Sequence, residues 1–452
     1  MKILVCGCGK IGSTMCADLV AEGHDVVALD KDPAIISQIT NTLDVMGVCG
    51  NAADCETLKD AGIAETELFI AVTGSDEVNM LSCFLARKMG ADHTIARIRN
   101  PEYNDKSLDF LRHELHLSQA INPDLLAAKE LFDILQIPSA IKVESFTGNT
   151  FKIIELIIKE NSPLDGLVLR DFKNKYNTRV LICAVQRGQD VYIPDGNFML
   201  KEGDRIGLTA SPNELVQFLR KIDLMHKKAR DVIILGGSRT AYYLAKMLEA
   251  SGGGVKIIEK DPAVAEALSD SLNGTTVVCG DGTQQELLLE EGLASTDAFV
   301  TLTGTDEENI LISIYAASKK VPKVISKVNS NELAAMAEKL GLESIVSPKK
   351  IISNILARYA RALENSKGSQ VETLYKLMDN HVEALEFLVD ADSKIISTPI
   401  KDLSLKPNTI IAGIIRGRTT IAPGGNDVIL PNDRVVIIAE NQRLRDLSDI
   451  LK

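Results

Sequence analysis

The sequence predicts an α/β chain of two Rossmann-type doubly wound parallel-sheet domains, each followed by a small α+β domain. Three observations carry this reading. A glycine loop, "CGCGKIG" at 6–12, leaves an apolar run and opens a helical period. The stretch 3–33 aligns without a gap over 232–262, so the chain contains an internal repeat. Within each copy, short β-branched runs alternate with helical periods, the pattern of a parallel sheet covered by helices on both faces.

The repeat extends well beyond the glycine loop. "VCGNAADCETLKDAG" (48–62) lies over "VCGDGTQQELLLEEG" (278–292), and "FIAVTGSDEVNML" (69–81) over "FVTLTGTDEENIL" (299–311). A weaker match sets "AVQRGQDVYIPDGNFMLKEGDRIGL" (184–208) over "GIIRGRTTIAPGGNDVILPNDRVVI" (413–437). The expected domains are therefore 1–122 and 230–347 for the larger units, and 140–224 and 371–452 for the smaller ones.

In the first larger unit the expected order is strand "KILVCG", a helix running to Gly23, strand "DVVALD", a helix after Pro33, and then strands "DVMGVCG", "LFIAVTG", "HTIARI" and "SQAIN" with helices between them. A doubly wound sheet of this kind places its ligand crevice at the carboxyl ends of the strands. The smaller unit reads as a hairpin through "TRVLICAVQRGQDVYIPDGN". It closes on a helix at "SPNELVQFLRKI", where Ser211 caps, Pro212 opens and Glu214 completes a capping box.

Composition bounds the function. With 45% apolar and 25% charged residues, the 452-residue chain is that of a globular protein. A net charge of -12 argues against a nucleic-acid partner, which would require clustered Lys and Arg. The short basic patch "HKKAR" (226–230) reads as a solvated linker. No run approaches the roughly 18 to 20 apolar residues needed to span a bilayer, and "MKILVCG" lacks the long apolar region of a signal peptide, so a cytoplasmic location is expected. Eight cysteines without a CxxC pair argue against a zinc site or a disulfide framework. Cys6, Cys55, Cys83 and Cys183 read as small apolar fillers. Cys8 is the one weighed as an exposed, redox-active thiol. His113, Glu114 and His116 are weighed as a metal group, with a solvated helix end the favoured reading.

The glycine loop carries the chemistry. Gly7 permits a tight turn, Gly9 lets backbone amides approach a pyrophosphate, and Gly12 allows close helix packing, while Cys8, Lys10 and Ile11 complete the loop. The helix N-terminus that follows stabilises phosphate charge. Asp30, with Lys31 beside it, ends the second strand and is placed to accept the ribose hydroxyls. Its carboxylate repels a 2′-phosphate, so NAD(H) is favoured over NADP(H). Asn51 and Ala52 follow the third strand, and Thr73 and Gly74 the fourth, as candidates for the adenine pocket. Asp76 and Asn79 read equally well as helix-start residues or ligand contacts. Arg97 and Arg99 read as phosphate ligands or as surface ion-pair partners. Lys10 is within reach of a terminal phosphate.

In the second copy, "LGGSRTA" (235–241) puts Ser238 at the middle glycine and Ala241 at the last, while Glu259 keeps the ribose position. A pyrophosphate fits this loop poorly, and the first half is expected to be the stronger site.

The tandem order, "GCGKIG", Asp30, "GNAADCETL", "VTGSDEVNML" and "ARIR" together resemble the RCK (KTN) domain family of bacterial potassium-transport regulators over essentially the whole chain. The resemblance implies RCK N-terminal and small α+β RCK C-terminal parts, with NAD(H) and also ATP or ADP bound in the N-terminal parts. The duplication and the lack of a catalytic constellation in the smaller units favour a regulator without turnover over the alternatives, an NAD-dependent oxidoreductase or a regulator of another cation transporter or channel. It also implies a homo-oligomeric ring, a tetramer, seated on a membrane-embedded potassium-translocating Trk subunit at the inner face of the membrane. Gly7, Gly9, Gly12 and Asp30 become dinucleotide contacts, with Thr73, Gly74 and Arg97 around them. The family loop often carries arginine where this chain has Lys10, so the lysine offers a point charge instead of a bidentate grip.

Overall fold

A computed structural model describes residues 1–103, 105–146, 150–224, 228–365, 371–378, 381–440, 444 and 446–452. The first two residues of the basic patch "HKKAR" lie outside the described residues.

The first larger unit is a six-stranded parallel sheet of β1 (Lys2–Cys6), β2 (Asp25–Asp30), β3 (Met46–Cys49), β4 (Leu68–Ala71), β5 (His93–Arg97) and β6 (Gln119–Ile121), in the order β3-β2-β1-β4-β5-β6. Helices α1 (Lys10–Ala21), α2 (Pro33–Thr42), α3 (Cys55–Asp60), α4 (Asp76–Met89) and α5 (Asp105–Glu114) connect the strands, and α6 (Pro123–Gln136) leaves the last one. The central strands β1 and β4 are covered on both faces, so Ile3, Leu4, Val5, Leu68, Phe69 and Ile70 are all fully buried. The strand order reverses between β1 and β4, which opens a crevice above their carboxyl ends.

Local chemistry fixes the helix starts. Asp32 accepts from the Ala34 amide with Pro33 in the first turn, and Ser75 accepts from the Val78 amide at the head of α4. Helix α1 ends at Ala21, ahead of Gly23 at φ +83°.

The first smaller unit comprises β7 (Lys142–Phe146), β8 (Phe151–Ile157), α7 (Leu169–Tyr176), β9 (Leu181–Arg187), β10 (Asp190–Tyr192), β11 (Arg205–Ala210) and α8 (Pro212–Lys221). Its sheet is antiparallel, in the order β10-β9-β11-β8-β7, and the β9–β10 hairpin occupies the expected stretch. Ser211 caps α8 by accepting from the Glu214 amide, as expected. The Glu214 carboxylate takes the Ser211 hydroxyl at 2.9 Å, so the expected capping box is replaced by a side-chain pair.

The second half repeats this plan. Its parallel sheet holds β12 (Asp231–Leu235), β13 (Gly254–Glu259), β14 (Thr275–Cys279), β15 (Ala298–Thr301), β16 (Lys323–Lys327) and β17 (Ser344–Val346), in the order β14-β13-β12-β15-β16-β17. Its helices are α9 (Arg239–Ala250), α10 (Pro262–Ser271), α11 (Gln285–Glu290), α12 (Asp306–Ser318), α13 (Asn331–Lys339) and α14 (Pro348–Asn365). The last sheet, β18 (Val371–Leu377), β19 (Val382–Leu388), β20 (Thr409–Arg416), β21 (Thr419–Ile421) and β22 (Arg434–Glu440), has the order β18-β19-β22-β20-β21.

The chain forms two compact units that do not follow the repeat. Met1–Lys129 groups with Ser347–Ala360, and Glu130–Val346 groups with Arg361–Lys452. Within the second unit the two small sheets share one core. Phe146, Phe151, Ile153 and Cys183 from one sheet pack with Leu377, Val382, Ala412 and Ile438 from the other. A Cβ on Gly413 would lie 2.5 Å from the Phe151 ring, so the strand can carry no side chain there. Both small sheets repeat one ion pair. Arg187 clasps Asp204 at 2.7 and 2.8 Å, and Arg416 clasps Asp433 at 2.8 and 2.7 Å, each aspartate being buried.

Among the expected cysteine fillers, Cys6, Cys83 and Cys183 are buried, but Cys55 is exposed. It is the first residue of α3, a short surface helix whose buried contact is Leu58. No helix among the described residues is long and apolar enough to cross a membrane.

Candidate functional site

The crevice above β1 and β4 is a cavity of about 920 Å³. Gly7, Gly9, Lys10, Ile11, Gly12, Asp30, Lys31, Asn51, Ala52, Thr73, Gly74 and Arg97 all line it, so twelve residues singled out along the first unit meet in one place. Cys8 does not line it. Its thiol turns into the core against the Val5 and Leu29 carbonyls, both at 3.6 Å, and is 2% exposed. The hydrogen bond with Cys16, then burial, holds that thiol far above its ordinary range, which corrects the exposed, redox-active reading. Only the backbone amide of Cys8 takes part in the site.

The three glycines have separate reasons. Gly7 sits at φ +88°, and a Cβ there would lie 2.6 Å from the Thr73 amide nitrogen. Gly12 lies under the loop, where a Cβ would come within 2.1 Å of the Gly7 carbonyl oxygen. Gly9 has nothing within 4 Å of a Cβ and an ordinary φ of −62°. The fold itself does not require glycine at Gly9, and the open space belongs to the cavity. Helix α1 starts at this glycine with no side-chain cap, which leaves its first-turn amides to an anion.

Asp30 ties the loop to the second strand. Its Oδ2 accepts from the Cys8 amide at 2.6 Å and its Oδ1 from the Asp32 amide at 2.9 Å. These bonds orient the carboxylate toward the cavity while leaving lone pairs for a diol. Arg97 is 7% exposed and donates through its guanidinium to the Thr73 carbonyl, so its charge is held at the cavity wall. Arg99 does not line the cavity; its backbone amide donates to Asp76 Oδ2.

Asp76 and Asn79 prove structural. Asp76 Oδ2 accepts from the Arg99 and Asn100 amides at 2.8 Å each. Asn79 Oδ1 accepts from the Thr73 amide at 2.8 Å and the Thr73 hydroxyl at 2.7 Å, and its Nδ2 donates to the Arg97 carbonyl at 2.9 Å. Together they clamp the β4 and β5 ends that carry Thr73 and Arg97. The second half repeats the clamp with Asp306 on the Asn329 and Ser330 amides and Asn309 between Thr303 and Lys327.

The second crevice is smaller, at about 350 Å³, and more acidic. Ser238 accepts from the Ala241 amide, so a side chain caps α9 where α1 is left open. Glu259 lines this cavity and accepts from the Gly237 and Asp261 amides, the counterpart of Asp30. Two further carboxylates join it. Asp281 stands where the first half has Asn51, and Glu308 where it has Val78. Bonds from the Thr283 amide and hydroxyl hold the Asp281 carboxyl below its ordinary range. Three acids against Lys260 oppose a pyrophosphate. The substitution of Glu308 for Val78 was present in the aligned "SDEVNM" and "TDEENI", but charge at that position had no assigned meaning before the fold placed it at the cavity rim.

His113 and Glu114 form an exposed pair at 3.1 Å, and no group of three metal-ligating side chains occurs among the described residues.

The TrkA-N domain model matches residues 3–123 and 232–348, and the TrkA-C domain model matches 153–223 and 384–452. The chain belongs to the TrkA family. It is 33% identical over 452 residues to a Trk system potassium uptake protein TrkA homolog of Archaeoglobus fulgidus, with 100% of each chain covered. It is 28% identical to the Trk system potassium uptake protein TrkA of Vibrio alginolyticus, covering 100% of this chain and 98% of that one. Among solved structures, the GsuK channel bound to NAD superposes with a TM-score of 0.64 at 18% identity, over 97% of this chain and 77% of that one. The GsuK RCK domain gives 0.64 at 17% identity, over 97% and 92%. At these identities the likeness establishes the shared fold.

Gly9→Ala separates fold from site. The melting temperature is expected to stay within about 2 °C of wild type, because the Cβ meets open space. Affinity for a dinucleotide is expected to fall about tenfold or more, measured by calorimetry, because the same Cβ intrudes on the anion's approach.

Proposed function

We propose that this chain is the nucleotide-binding regulatory subunit of a Trk-type potassium-uptake transporter, built of domains 1–122, 140–224, 230–347 and 371–452. The observation that carries the reading is the first cavity: an uncapped helix N-terminus and a glycine bordering open space on one side, and an oriented Asp30 on the other. Its volume of about 920 Å³ suits a dinucleotide, since ligand pockets run to about 1,000 Å³.

The residues fit NAD(H), and ATP or ADP by the same phosphate and adenosine contacts. The amides of Gly9 to Gly12 take the phosphates, Asp30 takes the ribose hydroxyls, Asn51, Ala52, Thr73 and Gly74 frame the base, and Lys10, Lys31 and Arg97 supply positive charge. When bound, NAD(H) supplies a pyrophosphate anion and ribose diols for recognition. Glu259 holds the weaker counterpart site in the second half.

Binding biases the gate of the potassium-translocating membrane subunit, on which the chain sits as a homotetrameric ring at the cytoplasmic face. A ligand shifts such a ring only through a difference in affinity between its two arrangements, and a few kcal/mol suffices. No turnover is involved. Among the described lining residues, the titratable side chains are Cys6, Lys10, Asp30, Lys31, Asp32 and Arg97, and no histidine stands ready as an acid or base for hydride chemistry. Potassium flux into vesicles holding the membrane subunit and this chain tests the proposal. Flux is expected to differ between NADH, NAD, ATP and ADP, whereas nucleotide-independent flux, or steady NADH consumption with a metabolite, contradicts it.

Glu308→Val tests the electrostatic account of the second cavity. Removing one carboxylate from its rim is expected to raise nucleotide affinity there about tenfold, read as a second calorimetric phase.

A further inference from the structure

The two parallel sheets carry a titratable side chain at the same place. His93 opens β5 opposite Leu68, and Lys323 opens β16 in the identical register opposite Ala298. Each meets chain that comes from the other half of the repeat. The His93 ring stands edge-on to Tyr359 of α14, with centroids 6.4 Å apart at 78°. Lys323 Nζ donates to the carbonyl of Ala140, in the segment joining α6 to β7, at 2.6 Å, and to Ser344 Oγ at 2.7 Å. Lys323 is 4% exposed.

We propose that the chain senses protons as a second input, through two separate seams, one inside each compact unit, in which Lys323 and His93 each hold a segment of the opposite half of the repeat in a proton-dependent way. A buried amine donating to a carbonyl and a hydroxyl is satisfied when neutral. An added proton brings a charge into a setting where, among the described residues, the hydrogen-bond partners are a carbonyl and a hydroxyl and not a carboxylate.

The groups facing Lys323 are the Ser344 hydroxyl, Glu343 before β17 and Lys159 after β8. The last two are paired with each other at 2.7 Å, which blunts the attraction of Glu343. Burial first, against Glu343 and with Lys159, brings the Lys323 ammonium down to about 7. His93 faces Tyr359 of α14, Arg87 of α4, its neighbour Asp92, Asp109, Arg112 and His113 of α5, His116 and Ser118. Burial lowers it below the ordinary histidine value, with Asp92 opposing and Arg87 assisting.

Both groups have the same sign. An opened seam returns each group to its ordinary value, so opening takes up a proton. For Lys323 the closed contact is strongest at high pH and weakens as pH falls from 10.5 toward about 7, then levels off. For His93 the weakening begins at 6.5 and continues below it. Each proton taken up changes the open-to-closed ratio by up to about tenfold per pH unit. Glu130 on α6 titrates near 7 with the opposite sign, because burial raises it, so the test must isolate Lys323.

The experiment is hydrogen exchange with mass spectrometry on the full chain between pH 6.5 and 8.5, corrected for intrinsic rates. It reads the segments holding the Ala140 and Ile141 amides, which are bonded to Ile137 and Glu155 carbonyls. Wild type is compared with Lys323→Met and Lys323→Gln, neither of which takes up a proton. The ratio of wild-type to variant exchange is expected to rise severalfold, up to about tenfold, per pH unit as pH falls from 8.5 to 7. A ratio constant in pH overturns the proposal. Carbon NMR titration of the wild-type lysines covers the case in which neither variant folds. One lysine is expected to titrate near 7, and titration of all of them above 9 overturns the proposal.

Discussion

Gly7→Val is expected to destabilise the unit around the first sheet by about 3 kcal/mol and to lower NADH affinity at least about 100-fold. Two costs add. The backbone at Gly7 lies at φ +88°, where a β-branched residue is strained by about 1 to 2 kcal/mol. The Cβ would also stand 2.6 to 2.8 Å from the Thr73 amide nitrogen, the Thr73 Cα and the Val72 carbonyl carbon, all backbone. Relief requires the glycine loop and the β4 end to part. That motion also displaces Thr73 from Asn79 and the Cys8 amide from Asp30, so site and fold fail together. Chemical denaturation and calorimetry read the two losses. Wild-type affinity in a folded variant would show that the loop can re-route without consequence.

Glu155→Ala is expected to cost about 3 to 5 kcal/mol in the unit that holds both small sheets. Glu155 is 1% exposed and accepts from Arg205 Nε at 2.6 Å, while its Oε1 accepts from the Met378 amide at 3.3 Å across the shared core. Truncation removes the buried carboxylate from a partly buried guanidinium and from the Met378 backbone amide. The repeat supplies an internal control. Glu386 occupies the counterpart position, also 1% exposed, but its ion pair with Arg434 is longer at 3.6 Å. Glu386→Ala is therefore expected to cost less, and denaturant midpoints for the two variants test the order. Equal losses would mean that ion-pair distance does not rank these two carboxylates.

The parallel sheets were legible in the sequence because their strands are continuous apolar runs and their loops carry residues of unambiguous use. Pro33 after Asp32 starts a helix, Gly7 makes a turn that no other residue makes cheaply, and Asp30 ends a strand at a fixed distance from the loop. Twelve candidate residues meet in one cavity for that reason. The misses share a cause. Cys8 looked like a loop residue open to solvent, but the positive φ of Gly7 turns the chain so that the thiol enters the core. Asp76 and Asn79 looked ambiguous because a polar residue in a first helical turn serves a cap, a ligand or a neighbouring strand equally well, and only the placement of β5 beside β4 selects the last. The union of the two small sheets was hidden because each reads as a complete half-buried sheet on its own. Gly413 was the one mark of the close approach of Phe151. The regrouping of Ser347–Ala360 with the first unit depends on where a helix goes after it leaves its sheet, which periodicity does not encode.

We propose the first cavity as the dinucleotide site and the second as its weakened counterpart. Calorimetry of NADH, NAD, ATP and ADP on the intact chain, on Asp30→Ala and on Glu259→Ala tests it most directly. One strong NADH site per chain is expected. Asp30→Ala is expected to weaken it about tenfold or more through loss of charge-assisted bonds to the ribose and to the Cys8 amide, while Glu259→Ala leaves it intact. NADH affinity unchanged in Asp30→Ala would contradict a dinucleotide site in the first cavity.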